Sequence, residues 1–182
     1  MNVDIALLER KRSEDAALVE QLTTLINDVY AVAENGLWRD DAARTTAAQV
    51  AELIRAGQIA VATRDARIVG SVRMHDVAPG VSEFGLLVAA PDERGTGVGR
   101  ALLDFVERHS RERGLRAVQL ELLCPRDRAH PSKEFLKGWY GRRGYCVIRT
   151  ESPDVRYPGL AALLATPCDL EIREKELHQR SG

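Results

Sequence analysis

Arg94-Gly95-Thr96-Gly97-Val98-Gly99-Arg100-Ala101 joins an apolar run, Leu86-Leu87-Val88-Ala89-Ala90, to a strongly amphipathic segment. The run reads as a strand and the segment as a helix, with Val98, Ala101, Leu102, Phe105 and Val106 on one stripe. Glycines alternate with other residues at the junction, so consecutive backbone N–H groups can converge on one anion with no Cβ in the way. The first turn of the helix adds unpaired donors and the positive end of a dipole. The stretch reads as a phosphate cradle. A P-loop is excluded, because the loop ends Gly99-Arg100-Ala101 where Gly-Lys-Ser/Thr is needed for terminal phosphates and magnesium. A dinucleotide fingerprint fits Gly95 and Gly97, but Arg100 stands where the third glycine belongs, and roughly half the chain precedes it.

Outward from the cradle the hydrophobic period predicts the remaining elements. Downstream, Asp104 with Arg108 and Glu107 with Arg111 lie at i,i+4 on the wet side of the helix, which Gly114 ends. Residues 117–124 form a mostly buried strand, and strand–helix–strand here implies a parallel crossover. A helix over residues 131–143 turns Phe135, Leu136, Trp139 and Tyr140 inward, and its Gly138 and Gly141 point to close contact with a ligand or a neighbouring backbone. Residues 145–150 and 168–173 supply the final strands. Upstream, residues 58–63 and 67–75 flank the polar turn Arg64-Asp65-Ala66 as an antiparallel hairpin, and residues 81–90 add a third strand after Pro79-Gly80. A first helix carries Leu18, Leu22, Leu25, Ile26, Val29 and Tyr30 on one face, with Ser13 as its N-cap. Thr46 and Gln49 form the capping box of a second, carrying Val50, Leu53 and Ile54 and stopped by Gly57.

The run Glu83-Phe84-Gly85-Leu86-Leu87-Val88-Ala89-Ala90-Pro91-Asp92-Glu93-Arg94-Gly95-Thr96-Gly97-Val98-Gly99 resembles the acetyl-coenzyme A signature of the GNAT (GCN5-related N-acetyltransferase) family. Trp139-Tyr140-Gly141-Arg142-Arg143-Gly144-Tyr145 is similar to that family's second segment, aromatic-Tyr-x-x-x-Gly-aromatic. The resemblance implies an α/β (α+β) fold: a mixed, mostly antiparallel sheet, one parallel crossover after the glycine-rich loop, and helices on both faces. It implies one acetyltransferase domain over residues 1–177 with a loose tail at 178–182, and acetyl-CoA as co-substrate. Residues 95–100, with Arg94 and Ala101 beside them, would take the pyrophosphate, and the strand at Leu87, Val88 and Ala89 would pair with the pantetheine amides. The family strand splays from its parallel neighbour to make a V-shaped slot for the acyl chain, and small Ala89 and Ala90 suit that opening. The asparagine often seen before the tyrosine-bearing helix is absent, and Ser132 and Lys133 stand there as cofactor contacts.

Composition frames the partners. The chain has 182 residues, enough to bury one sizeable core. With 26 basic and 27 acidic residues its net charge is −1, which gives no pull towards nucleic acid or a membrane surface. No apolar run approaches the ~20 residues of a membrane helix, and the first residues lack a signal-peptide layout, so a cytoplasmic location is expected. Cys124, Cys146 and Cys168 show no Cys-x-x-Cys spacing and read as reduced thiols.

The implied chemistry is attack of an amine on the thioester of acetyl-CoA. An amine of pKa ~10.4 is protonated at pH 7, and deprotonating it costs about 4.6 kcal/mol. The family places a strand glutamate at the position of Glu83 for this work; His75 is the reserve, by its ordinary pKa, and water alone stays open. Tyr140 falls on the family's general-acid position, protonating the leaving thiolate. Tyr145 reads as packing, and Cys124 has nothing near it in sequence that would activate it, which favours direct transfer over an acetyl-enzyme. The acceptor, a small-molecule or peptide amine, would be shaped by residues 33–45, with Trp38, and residues 152–166, with Tyr157-Pro158-Gly159. Neither segment is densely acidic, which argues against a polycation. A homodimer is compatible with the edge strands. A non-catalytic CoA-binding sensor or partner module on the same fold is the alternative reading.

Overall fold

A computed structural model of the chain describes residues 3–39 and 43–177. Seven strands form one sheet: β1 (Asp4–Leu7), β2 (Ile59–Arg64), β3 (Arg67–Ala78), β4 (Val81–Ala89), β5 (Ala117–Pro125), β6 (Cys146–Glu151) and β7 (Cys168–Glu176). Their spatial order is β1-β2-β3-β4-β5-β7-β6. Among the described residues only β4 and β5 run parallel, and every other neighbouring pair is antiparallel. Helix α3 (Val98–Glu112) makes the crossover between them, as the expected strand–helix–strand order requires. The other helices are α1 (Ala16–Ala33), α2 (Ala47–Arg55), α4 (Pro131–Arg142) and the single turn α5 (Pro153–Arg156).

Both faces of the sheet are covered, because each carries its own apolar set. Leu18, Leu22 and Ile26 of α1 and Val50 and Ile54 of α2 pack on Ile59, Val61 and Val88. On the opposite face Val98, Leu102 and Val106 of α3 meet Ala60, Ala62, Val72, Phe84 and Leu120, joined by Tyr140 of α4. A third group, Leu123, Leu164, Cys168, Leu170 and Ile172, lies over β5 and β7 with Trp38 against it. Among the described residues no helix is long and apolar enough to cross a membrane.

Several expectations are corrected. Ser13 lies in a 3-10 turn (Arg10–Glu14), and Asp15 caps α1, accepting the Leu18 amide at 3.0 Å. Asp15 is the residue immediately before the helix, where an N-cap must stand to reach the orphan amides. Strand β1, too short to show a period, pairs with β2. Phe135 is 63% exposed and not inward. The last strand runs on to Glu176 and inserts between β5 and β6, an order that hydrophobic periodicity does not encode. The expected tail at 178–182 lies outside the described residues.

The slot between β4 and β5 has a local cause. Their ladder runs from Val81↔Ala117 to Phe84↔Leu120 and goes no further. Immediately beyond, the β3–β4 register slips: Arg73 faces Gly85 and Ser71 faces Val88, so Leu86 and Leu87 together oppose Val72. Leu86 holds φ +47°, a conformation costly for a side chain with a Cβ. The extra residue reverses the alternation. Phe84 packs with the α3 side, yet Leu86 and Val88 pack with α1 and α2, while Leu87 and Ala89 return to the α3 side. This bulge bends β4 out of the ladder and opens the V.

Candidate active site

The glycine-rich turn is built as a donor nest. Gly95 and Gly97 hold φ +82° and +94°, in the left-handed region glycine tolerates. Gly97 is the N-cap of α3 and brings no side chain to cap it. The first helical bond is Ala101 N–H to Gly97 O at 2.9 Å, and the amides of Gly95, Gly97, Val98, Gly99 and Arg100 donate to no other described residue. Unpaired amides together with the α3 dipole make an anion site. Thr96 and Ala101 are corrected as amide donors: Thr96 N–H is spent on Glu93 O at 3.1 Å, and Ala101 N–H on Gly97. Arg94 and Arg100 are exposed beside the nest.

Glu93 holds the turn to the sheet, a role sequence reasoning did not find. Its buried carboxylate meets Arg64 and Arg67 (3.1 Å) from the β2–β3 hairpin and accepts the Thr96 hydroxyl at 2.9 Å. The only sequence signal is a glutamate next to Arg94, indistinguishable from a solvated charge.

Tyr140 and Glu83 flank the root of the slot. The Tyr140 ring lies 5.8 Å from Phe84, the last β4 residue still paired with β5, and touches Trp139 and Tyr145 at 4.9 and 5.9 Å. Burial, with Tyr30 beside it, pushes the Tyr140 phenol well above its ordinary pKa, so it keeps its proton across the neutral range. Tyr145 donates to the buried Glu107 at 3.3 Å, a carboxylate that also meets Arg111, Arg143 and Lys175; it is packing, as expected. Glu83 precedes Phe84 and so faces the opposite side of the sheet, towards α1 and α2.

Around Glu83 the sheet sets a row of polar side chains, since His75, Glu83 and Gln119 are direct cross-strand partners. Glu83 Oε2 accepts Gln119 Nε2 at 2.6 Å and Arg156 Nη1 at 3.2 Å, while Oε1 lies 3.8 Å from His75 Nε2. Burial first, then Arg73, lowers the His75 pKa, which keeps the ring neutral at pH 7. Glu121 of β5 pairs with Arg156 and accepts the Tyr157 hydroxyl at 2.6 Å, and Glu151 Oε1 lies 3.2 Å from Arg156 Nε. The members of this acidic group come from strands β4, β5 and β6, outside the two flanking segments that the sequence reading found not to be densely acidic.

Other predicted groups are engaged elsewhere. Ser132 donates to Ala33 O, and Lys133 Nζ bonds Glu34 Oε1 at 2.6 Å with both side chains buried, so their polar atoms join α4 to the end of α1. Trp38 Nε1 donates to the other oxygen of Glu34 at 2.7 Å. Arg44 lies over the rings of Tyr30 and Trp38 at 5.0 and 5.8 Å. Burial, then Glu171, pushes the Cys124 thiol up to about 12, which makes it a poor nucleophile.

A model described as the acetyltransferase (GNAT) family matches residues 20–137. No curated protein matches the chain. Among solved structures, PaiA N-acetyltransferase from Thermoplasma acidophilum in complex with coenzyme A aligns with a TM-score of 0.69 at 16% identity, over 97% of this chain and 99% of that one. YncA from Salmonella typhimurium with its cofactor acetyl-CoA gives 0.65 at 15%, over 100% and 98%. Ribosomal-protein-alanine N-acetyltransferase from Brucella melitensis gives 0.67 at 17%, over 96% and 99%.

Proposed function

Because this chain belongs to the GNAT acetyltransferase family and is an acyltransferase with acetyl-CoA as its co-substrate, we propose that it acetylates a primary amine of a small molecule or peptide by direct attack. The observation that carries the reading is that Glu83 and Tyr140 stand on opposite sheet faces at the root of the β4–β5 slot. The substrate contributes an activated thioester and a thiolate leaving group. The nest amides of Gly95, Gly97, Val98, Gly99 and Arg100 hold its pyrophosphate, with Arg94 and the Thr96–Ala101 backbone framing them. The β5-facing backbone of Leu87, Val88 and Ala89, left unpaired by the splay, holds the pantetheine amides.

On the α1–α2 side, Glu83 draws the protonated amine to the slot and takes its proton, directly or through water. The amine nitrogen then bonds the carbonyl carbon, the C–S bond breaks, and the nitrogen gives its second proton to water as the amide forms. Tyr140, kept protonated by burial, gives its proton to the departing sulfur and regains one from water. Gln119, donating to Glu83 Oε2 at 2.6 Å, orients that carboxylate, and His75, 3.8 Å away, is the reserve base. Direct attack is favoured by the inert Cys124.

Calorimetric titration with CoA and acetyl-CoA, followed by thiol release against a panel of amines, tests this reading. Tyr140→Phe is expected to lower kcat by about 10²–10⁴-fold, the range of general acid–base catalysis, with CoA affinity within about twofold of wild type. Unchanged kcat removes Tyr140 from its role. CoA binding without thiol release from any amine favours the binding-module reading.

A further inference from the structure

Arg156, on the single turn α5, is the one arginine or lysine that touches Glu83 among the described residues. Its guanidinium faces three carboxylates from three strands: it donates to Glu83 (3.2 Å) and Glu121, and lies 3.2 Å from Glu151 without a hydrogen bond. The remaining charges nearby are already placed. Arg149 takes the other oxygen of Glu151 at 2.9 Å, Arg73 is turned to Gln58 at 2.9 Å, and His75 is held neutral by burial. Glu83 itself is 7% exposed, so its charge is costly to leave without a partner. The site therefore carries a cation before any substrate arrives, on the same carboxylate that a substrate ammonium would seek.

We propose that Arg156 is an internal placeholder for the acceptor's ammonium group, so that the acceptor is a cationic alkylamine and Arg156 sets how tightly it is held. This rests on the reading of Glu83 as the residue that meets the amine. Displacement is chemically even: an ammonium takes over Glu83, and the guanidinium keeps Glu121 and Glu151, so no charge is left buried alone. An uncharged acceptor has no such exchange to offer, because it would separate Glu83 from Arg156 and replace the ion pair with nothing. Arg156 is thus a specificity-determining residue that competes with substrate, and removing it tightens amine binding instead of weakening it.

The test uses n-butylammonium chloride as the probe and 1-butanol as its uncharged counterpart, titrated calorimetrically into the full chain saturated with CoA at constant ionic strength. Arg156→Gln is expected to bind n-butylammonium about tenfold more tightly than wild type, about 1.4 kcal/mol, with 1-butanol unchanged. Glu121→Gln is expected to move affinity the opposite way, since it removes negative charge and leaves the guanidinium more dependent on Glu83. A merely structural salt bridge would weaken binding in both variants. Arg156→Lys, whose ammonium cannot span three carboxylates, gives an intermediate gain and serves if Arg156→Gln does not fold. Equal or weaker n-butylammonium binding in the Arg156 variants, or none in any protein, overturns the proposal. Glu83→Gln separates the two readings: thiol release at the wild-type rate in that variant removes Glu83 as base, whereas an inactive Glu83→Gln beside unchanged amine affinity in Arg156→Gln defeats the placeholder alone.

Discussion

His75 shows how a side chain's neighbours, more than its type, decide what it does. Its pKa is lowered from the ordinary 6.5, by burial first and Arg73 second, although carboxylates also face it. A lowered folded pKa means that the native ring resists a proton which the unfolded chain accepts. Stability associated with His75 is therefore present above pH 6.5 and is lost as pH falls from there through the folded value. His75→Gln removes this link. Urea unfolding at pH 7.5 and 5.5 should show a smaller loss on acidification in the variant than in wild type, and an equal loss would remove His75 from the pH response. At the same scale, Tyr140 and Glu83 could be proposed because each falls in one of the segments that resemble the family's signatures. The partners that tune them, Gln119, Tyr30 and Arg156, belong to none.

Among the elements, the segment from β4 to α3 does most of the functional positioning, and two devices within it cooperate. The bulge at Leu86 opens the slot, and Glu93 ties the following turn to the β2–β3 hairpin so that the nest amides stay together. Glu93→Gln keeps the size of the side chain but leaves Arg64 and Arg67 without their shared counter-charge. A loss of about 1–3 kcal/mol is expected for a buried, multiply bonded carboxylate, with weaker CoA binding as the turn loosens. Thermal unfolding and CoA titration read the two effects separately; a variant that matches wild type in both would show that the turn holds itself. The capping box at Thr46 and Gln49 formed as its sequence predicts, because such a motif is satisfied by residues three apart. Ser13 failed as a cap because Asp15, two residues nearer the helix, reaches the Leu18 amide.

For the whole molecule, the region around Glu34 is assembled from parts far apart in the chain. Glu34 at the end of α1 joins Lys133 of α4 and Trp38 of the next loop. Burial opposes the Glu34 charge, yet Lys133 and Arg44 hold its carboxyl below the ordinary range. Lys133→Met breaks this buried pair and is expected to cost about 3–5 kcal/mol, with CoA affinity of the folded protein unchanged. Denaturant unfolding and CoA titration check it, and a selective loss of CoA affinity would return Lys133 to the cofactor. By itself the sequence determined the glycine-rich turn, the crossover helix and the β2–β3–β4 hairpins. Each of these is written in local periods, caps and turns that read the same wherever the chain goes. The tertiary structure alone decided that β7 lies between β5 and β6, and that Glu83, Glu121 and Glu151 surround Arg156. Arg156 reaches Glu83 and Glu121 across 73 and 35 positions of sequence, contacts that arise only when strands are laid side by side, and no local pattern carries the register that brings them there.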